Sequence, residues 1–274
     1  MRARLATLPA SPHRPNEDFA AVTPDAAVLL DGAGAAEMDN GCRHGVAWFT
    51  RRLGAAILAR VGDGPLRSVL ASAVSATADA HRDTCDLAHP GSPSATVIIV
   101  RFTGPAVEYL VLADSVLLLS TASERPEVIT DPRVEAVGNR YRAPMDSLRN
   151  GTPEHAEARR AFVRATLGHR NRPGGYWVAS ADPSVAAEAI TGSAAVTSLA
   201  LLSDGATRLV DTFALETWEG LLASLTSAGP EELLRRTRAA ELSDPAGSRW
   251  PRAKPHDDAT AVHLSVEAEL RPPA

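Results

Sequence analysis

The chain has 274 residues, 45% of them apolar and 22% charged, as expected of a soluble globular protein that can bury a sizeable core. A formal net charge of −5, with no run of more than two basic residues, argues against a nucleic-acid-binding surface. No apolar stretch is long enough to span a bilayer, and the first ten residues lack the apolar core of a signal peptide, so a cytoplasmic protein without membrane contact is expected.

Arg2–Leu8 reads as a short strand, and residues 11–15 as a turn-rich loop leading to Asn16-Glu17-Asp18. The apolar run Phe19–Val22 follows, then a turn at Thr23-Pro24-Asp25. Ala26–Leu30 is apolar throughout and closes on Asp31-Gly32, the pattern of a strand buried on both faces. The two runs form a hairpin whose open end sets Glu17 beside Asp31. Val46, Phe49, Leu53, Ile57 and Val61 recur at helical spacing over 45–61. A second helix is read over 65–87 from Leu66, Val69, Leu70, Val74, Thr77 and Ala80, packing with the first as an antiparallel pair over a sheet.

Strands rich in β-branched residues are then expected over 95–102, 107–112 and 116–119, with a further short one at 127–130. Residues 133–151 lack periodicity and read as a loop; Pro153–Leu167 reads as a helix, 169–175 as a basic loop and 176–180 as a strand. Another buried strand over 196–203 ends in Asp204-Gly205, helices follow over 213–227 and 231–242, and Asp257-Asp258 introduces a last strand over 259–266. No low-complexity linker divides the chain, so a single domain spanning 1–274 is expected. Strands and helices without regular alternation argue for α+β layers.

Leu30-Asp31-Gly32-Ala33 and Ser203-Asp204-Gly205-Ala206 are one device used twice, a buried strand delivering a carboxylate into a glycine turn. Asp-Gly is also a common hairpin turn, and scattered turn and cap residues would give the same letters. If the carboxylates at these strand ends converge, their mutual repulsion calls for hard divalent cations with oxygen ligands, Mg²⁺ or Mn²⁺, and disfavours zinc. Cys42 and Cys85 are the only cysteines; with His44 and His89 they read as helix-packing and cap residues rather than a soft-metal site.

Asn16-Glu17-Asp18, Leu30-Asp31-Gly32-Ala33-Gly34, Ser94-Ala95-Thr96, Ala113-Asp114-Ser115, Ser203-Asp204-Gly205-Ala206-Thr207 and Asp257-Asp258-Ala259-Thr260 occur in this order. The series resembles the metal-dependent serine/threonine phosphatases of the protein phosphatase 2C (PPM) type. The resemblance implies a four-layer α/β/β/α sandwich, a central antiparallel β-sandwich flanked by helices. It also implies two Mg²⁺ or Mn²⁺ ions, with a weaker third. Asp31 would bridge the two ions; Glu17 and the Gly32 carbonyl would complete one shell, Asp204 and Asp257 the other, and Asp114 would hold the third ion. A bridging water would attack phosphorus in line, with Arg14 holding the phosphate.

Ala33 stands where the family often has histidine, which leaves His44 or His13 as general acid. Ala113 replaces a glycine, Val116 an arginine, and Arg208 an acidic residue, the marks of a divergent branch. The implied substrate is a phosphoserine or phosphothreonine protein. A phosphatase of a small phosphorylated metabolite and a phosphatase-like binding module are the alternatives.

Overall fold

The structure, a computed structural model, describes residues 1–34, 39–104 and 106–265. In chain order it contains β1 (Arg2–Leu8), β2 (Phe19–Val22), β3 (Ala26–Leu30), β4 (Gly32–Ala33), α1 (Val46–Leu58) and α2 (Leu66–Asp79). There follow β5 (Ser94–Ala95), β6 (Val97–Thr103), β7 (Ala106–Leu112), β8 (Val116–Ser120) and β9 (Glu127–Ile129), then α3 (Arg133–Gly138), α4 (Ala143–Asp146) and α5 (Pro153–Leu167). The remainder is β10 (Ile190–Ala195), β11 (Ser198–Leu202), α6 (Asp204–Asp211), α7 (Trp218–Ser227), α8 (Pro230–Ser243) and β12 (Ala259–Ser265). The last strand is thus seen to Ser265, residue 266 lying outside the described residues.

Two antiparallel five-stranded sheets, ordered β1-β12-β11-β8-β9 and β10-β7-β6-β3-β2, stack face to face. Strand alternation explains why both faces of the central strands are apolar. In β3, Ala27 and Leu29 meet Leu117, Leu201 and Val262 of the other sheet, whereas Val28 and Leu30 meet Phe49 and Leu53 of α1. In β11, Leu199 and Leu201 face the inter-sheet core, and Ala200 and Leu202 pack under α6, α7 and α8. The result is the four-layer α/β/β/α sandwich.

Several local expectations change. Residues 133–151 contain α3 and α4 rather than a loop; each is too short for periodicity to register, yet they bury Val137 and Met145. The second helix stops at Asp79, where the chain tightens into a turn through His81 N–H to Ala78 O, instead of running to 87. Over 213–227 the helix begins only at Trp218, with the Thr217 side chain accepting from Gly220 N–H. Residues 176–180 form no strand: Ala179 makes an isolated bridge to Ala95, and the Asn171 side chain takes the Val178 N–H. Strand β10 was not expected, because Thr191-Gly192-Ser193-Ala194-Ala195 lacks large apolar residues; it is an edge strand paired only with β7.

The β7–β8 turn carries Ala113 at φ 71°, a left-handed conformation at a fully buried position. Ala113 O accepts from Asp131 N–H, and the turn presents Asp114 and Ser115. A β-carbon there costs about 1 kcal/mol, and a β-branched side chain considerably more. Ala113→Gly should therefore stay within about 1 kcal/mol of the parent, strain relief offsetting the lost methyl, while Ala113→Val should cost about 2 kcal/mol or more. Denaturant unfolding of the two variants measures both.

Candidate functional site

The acidic residues come from five segments of chain, at 17–18, 31, 114, 204 and 257–258, and the sandwich brings those segments to one mouth. Asp31 leaves β3 with its backbone fixed on both sides: its N–H donates to Thr96 Oγ1 at 3.2 Å, and its carbonyl accepts from Thr96 N–H at 2.9 Å. Thr96 is itself held by a 2.6 Å hydroxyl contact with Ser115, beside Asp114. Pairing of Phe19 with Leu30 sets Glu17 and Asp18 across from Asp31, as the hairpin reading required. Asp204 opens α6, and its N–H donates to Asp31 Oδ2 at 3.2 Å, joining the two sheets at this point.

Two glycines permit the approach. A β-carbon on Gly32 would lie 2.5 Å from the Glu17 carbonyl oxygen, and one on Gly205 would lie 2.0 Å from that of Asp258. Both Asp-Gly pairs therefore need glycine for want of space, since neither has a positive φ.

Burial raises the carboxylate pKa values here, and neighbouring carboxylates add to it. Asp31 is held well above the ordinary range by burial and by Asp204, Asp18, Asp257 and Asp114. Burial first, then the Asp204 charge, pushes Asp114 up to about 7. Asp18 is pushed up to about 8, chiefly by burial, with the Thr260 and Ser203 hydroxyls opposing the shift. Neither of its carboxylate oxygens has a hydrogen-bond partner of good geometry among the described residues. Glu17 is raised by burial despite the Lys254 charge. Such a set of like charges is costly unless a cation joins it.

Asp257 is the exception. Burial acts to raise it, but Lys254 and Arg208 outweigh that and leave it below the usual value. Lys254, the chain's single lysine, places Nζ 2.7 Å from Asp257 Oδ1. Arg208 bridges Asp257 Oδ2 at 2.9 Å and Glu241 at 2.6 Å, all three buried. Asp258 also lines the cleft, but its two oxygens hold the chain, accepting the N–H groups of Ala10 and Glu17 at 2.7 and 2.8 Å.

Above this floor lies an open cleft of about 1150 Å³. Glu17, Asp31, Gly32, Asp114, Asp204 and Asp257 all line it. Arg14 sits on its rim, exposed, close enough for its charge to bear on Glu17. The structure does not bring His44 to the carboxylates: its imidazole stacks on Trp48, ring centroids 4.4 Å apart, and Nε2 contacts Thr84 Oγ1 at 3.1 Å. His13 is exposed on the loop before Arg14. Sequence reasoning missed Lys254 and His256, which line the cleft from the 249–256 loop, and Arg159 of α5 on the opposite wall. The one usable signal was the proximity of Lys254 and His256 to Asp257 in the chain. The basic loop at 169–175 is anchored, Arg170 donating to Ser92 O at 2.7 Å and Ser92 Oγ at 3.0 Å.

A family model described as protein phosphatase 2C matches residues 11–242. The chain belongs to the protein phosphatase 2C family. The match stops short of Asp257, which enters the site through the pairing of β12 with β11 and β1. No sequence among the curated proteins matches this chain. Among solved structures, the catalytic domain of the serine/threonine phosphatase PstP in complex with two manganese ions is 17% identical, with a TM-score of 0.57 over 96% of this chain and 97% of that one. PstP/Ppp of Mycobacterium tuberculosis is 19% identical (TM-score 0.59; 97% of this chain, 99% of that one). Stp1 of Staphylococcus aureus is 16% identical (TM-score 0.59; 97% and 95%). At these identities the likeness is one of fold, and it is the fold built above from strand alternation.

The pH dependence of the metal-free protein follows from Asp18. Its carboxyl ionises near 3.8 in the unfolded chain and near 8 in the folded one, so the folded state holds the extra proton in between. Stability conferred by the protonated form is therefore complete below about 4 and is lost as pH rises toward 8. Asp18→Asn should flatten that slope, raising the melting temperature at pH 8 more than at pH 5. Thermal melts in EDTA at the two pH values test this.

Proposed function

We propose that the chain is a divalent-metal-dependent phosphatase of phosphoserine and phosphothreonine in proteins, acting in the cytoplasm. The observation that carries the reading is the convergence of Glu17, Asp31, Asp204 and Asp257 on one cleft, beside a buried Asp18 with no hydrogen-bond partner of good geometry. The residues fit Mg²⁺ or Mn²⁺: the donors are oxygens, their repulsion requires positive charge, and Gly32, lacking a β-carbon, lets the Glu17 backbone approach it closely. Asp31 would hold both ions, with Glu17 and the Gly32 carbonyl on one and Asp204 and Asp257 on the other; Asp114 would hold a third. PstP with two manganese ions supports this assignment by family and fold.

Bound, the ions supply a water of lowered pKa and neutralise charge developing on the phosphoryl group. The chain's own residues do the rest. The Arg14 guanidinium on the rim takes phosphoryl oxygens in a fork. His256 lines the cleft with its pKa lowered by burial and by Arg238, Arg208 and Arg252, and its buried Nε2 has no hydrogen-bond partner among the described residues. In the neutral form this favours, it can accept a proton from a water but has none to give the leaving oxygen, so it does not replace the histidine absent at position 33. The family match and the likeness to serine/threonine phosphatases favour a phosphoprotein over a small metabolite as substrate.

Hydrolysis of para-nitrophenyl phosphate and of a phosphothreonine peptide, with Mn²⁺, Mg²⁺ or EDTA, tests the proposal. Turnover should require a divalent ion, favour the peptide, and fall at least about 100-fold in Asp31→Ala and Asp204→Ala. Folded protein that binds no Mn²⁺ would refute the metal assignment.

Lys254 gives a second test. An ammonium hydrogen-bonded to a ligand carboxylate repels an incoming dication, so Lys254→Met should tighten Mn²⁺ binding by roughly tenfold even at a water-like effective dielectric near 80. Calorimetric titration would show an unchanged or weaker affinity if Lys254 does not oppose the ion.

A further inference from the structure

Away from the carboxylates, three side chains of the metal-ligating kind face one another. Cys42, on the loop before α1, and Cys85, in the turns after α2, place their sulfurs 3.1 Å apart. His81, in the turn that ends α2, sets Nδ1 3.7 Å from Cys42 Sγ. All three donor atoms lie within 4.8 Å of one another. His81 is 4% exposed, and its Nε2 has no hydrogen-bond partner among the described residues. Its ring packs among Trp48 and Phe49, which fixes the direction in which Nδ1 points. The cysteines were read from the sequence as packing residues because two cysteines 43 positions apart form no spacing motif; the fold supplies the proximity.

Burial and the contact with Cys85 raise the Cys42 pKa; at Cys85 burial acts upward too, but the Cys42 contact and nearby backbone N–H groups outweigh it, so Cys85 is the thiol that ionises first. The N–H groups of His44 and Gly45 lie close enough to Cys42 Sγ, and those of Arg43 and His44 to Cys85 Sγ, to favour the ionised form of each. Gly45, at φ 78°, lets the chain fold back over the Cys42 sulfur. Converging N–H donors satisfy a thiolate without a counter-residue, as hydrogen bonding to a charged form does in general. The two segments are also tied through Asp86 N–H to Gly41 O at 2.8 Å. Burial, with His44 nearby, lowers the His81 pKa and keeps its imidazole in the neutral form that ligates.

We propose that Cys42, Cys85 and His81 form a zinc site, separate from the oxygen-lined cleft, with solvent in the fourth position. Zn–S bonds of about 2.3 Å and Zn–N bonds of about 2.1 Å accommodate the present sulfur–nitrogen distance, and the sulfurs need to part by only about 0.7 Å to reach tetrahedral separation. Thiolate and imidazole donors select zinc over the hard ions suited to the cleft. Binding releases the thiol protons to solvent and changes no oxidation state. The ion clips the loop before α1 to the end of α2, and so holds Val46 at the start of α1 against Gly32 and Gly34, where it would contact any added β-carbon at 2.6 Å.

The test is titration of the full chain, reduced with a phosphine, by Co²⁺ and then Zn²⁺, beside Cys85→Ser and Asp31→Asn. One equivalent of Co²⁺ should give a thiolate-to-metal charge-transfer band in the near ultraviolet that Zn²⁺ abolishes. The band should persist in Asp31→Asn and vanish in Cys85→Ser, whose Zn²⁺ affinity should fall by more than about 100-fold, beyond the cost of losing an outer-shell partner. Absence of the band in reduced wild-type protein, or a band unaffected by Cys85→Ser, would overturn the proposal. So would a Cys42–Cys85 disulfide, formed once the reductant is removed, in protein that takes up no zinc when reduced. Should Cys85→Ser not fold, the wild-type band alone decides.

Discussion

Like charges forced together at the ends of neighbouring strands are the constraint to which the rest of the architecture answers. Asp31 and Asp204 belong to different sheets, yet a single N–H to carboxylate contact joins them. Keeping them there falls to the hydroxyls beneath. Thr96 and Ser115 fix the Asp31 side, while Thr260 bonds Thr7 at 2.7 Å and gives its N–H to Ser203 Oγ at 2.8 Å on the Asp204 side. These groups are small, neutral and fully satisfied, so they can be buried without adding charge to a crowded place.

The chain treats one side of the cluster differently from the other. Asp257 has two fixed cations, and Arg208 carries the second carboxylate of Glu241 as well. A buried ionic group of this kind contributes little net stability, but removing one member strands the others. Arg208 stands at the position where the resemblance leads one to expect an acid, and the structure supplies the reason it is tolerated: Glu241 of α8 has taken up the complementary charge. On the Asp18 side no fixed cation among the described residues balances the buried carboxylate, and it is there that the pressure for an external cation is greatest.

What could be read beforehand followed from periodicity and from strand ends. Ala26–Leu30 and 199–202 declared themselves by apolar runs leading to Asp-Gly, and the hairpin set Glu17 beside Asp31 because pairing parity allows little else. The segments that escaped notice have weak local signals. β10 is built of Thr, Gly, Ser and Ala, and takes its conformation from β7; α3 and α4 each bury a single apolar side chain. At the site, the sequence could not show that Asp258 holds the Ala10 and Glu17 backbone while Asp257 takes up Lys254 and Arg208, because adjacent identical residues are told apart only by the partners the fold brings to them. It also could not show that His44 turns toward Trp48, since that choice is made by α1 and the turn at Thr84.

The pairing of β1 with β12 carries a consequence for how the protein is made. Arg2 lies opposite Ser265 and Leu8 opposite Ala259, so β1 leaves the ribosome long before its partner β12. The β10-β7-β6-β3-β2 sheet can close on α1 and α2 well before that. The other sheet waits, and with it the clamp by which Asp258 gathers Ala10 and Glu17. Contacts so distant in sequence form slowly. A nascent chain therefore carries Asp31 on a formed scaffold long before Glu17 and Asp257 are fixed around it, and the cluster is completed in one late step.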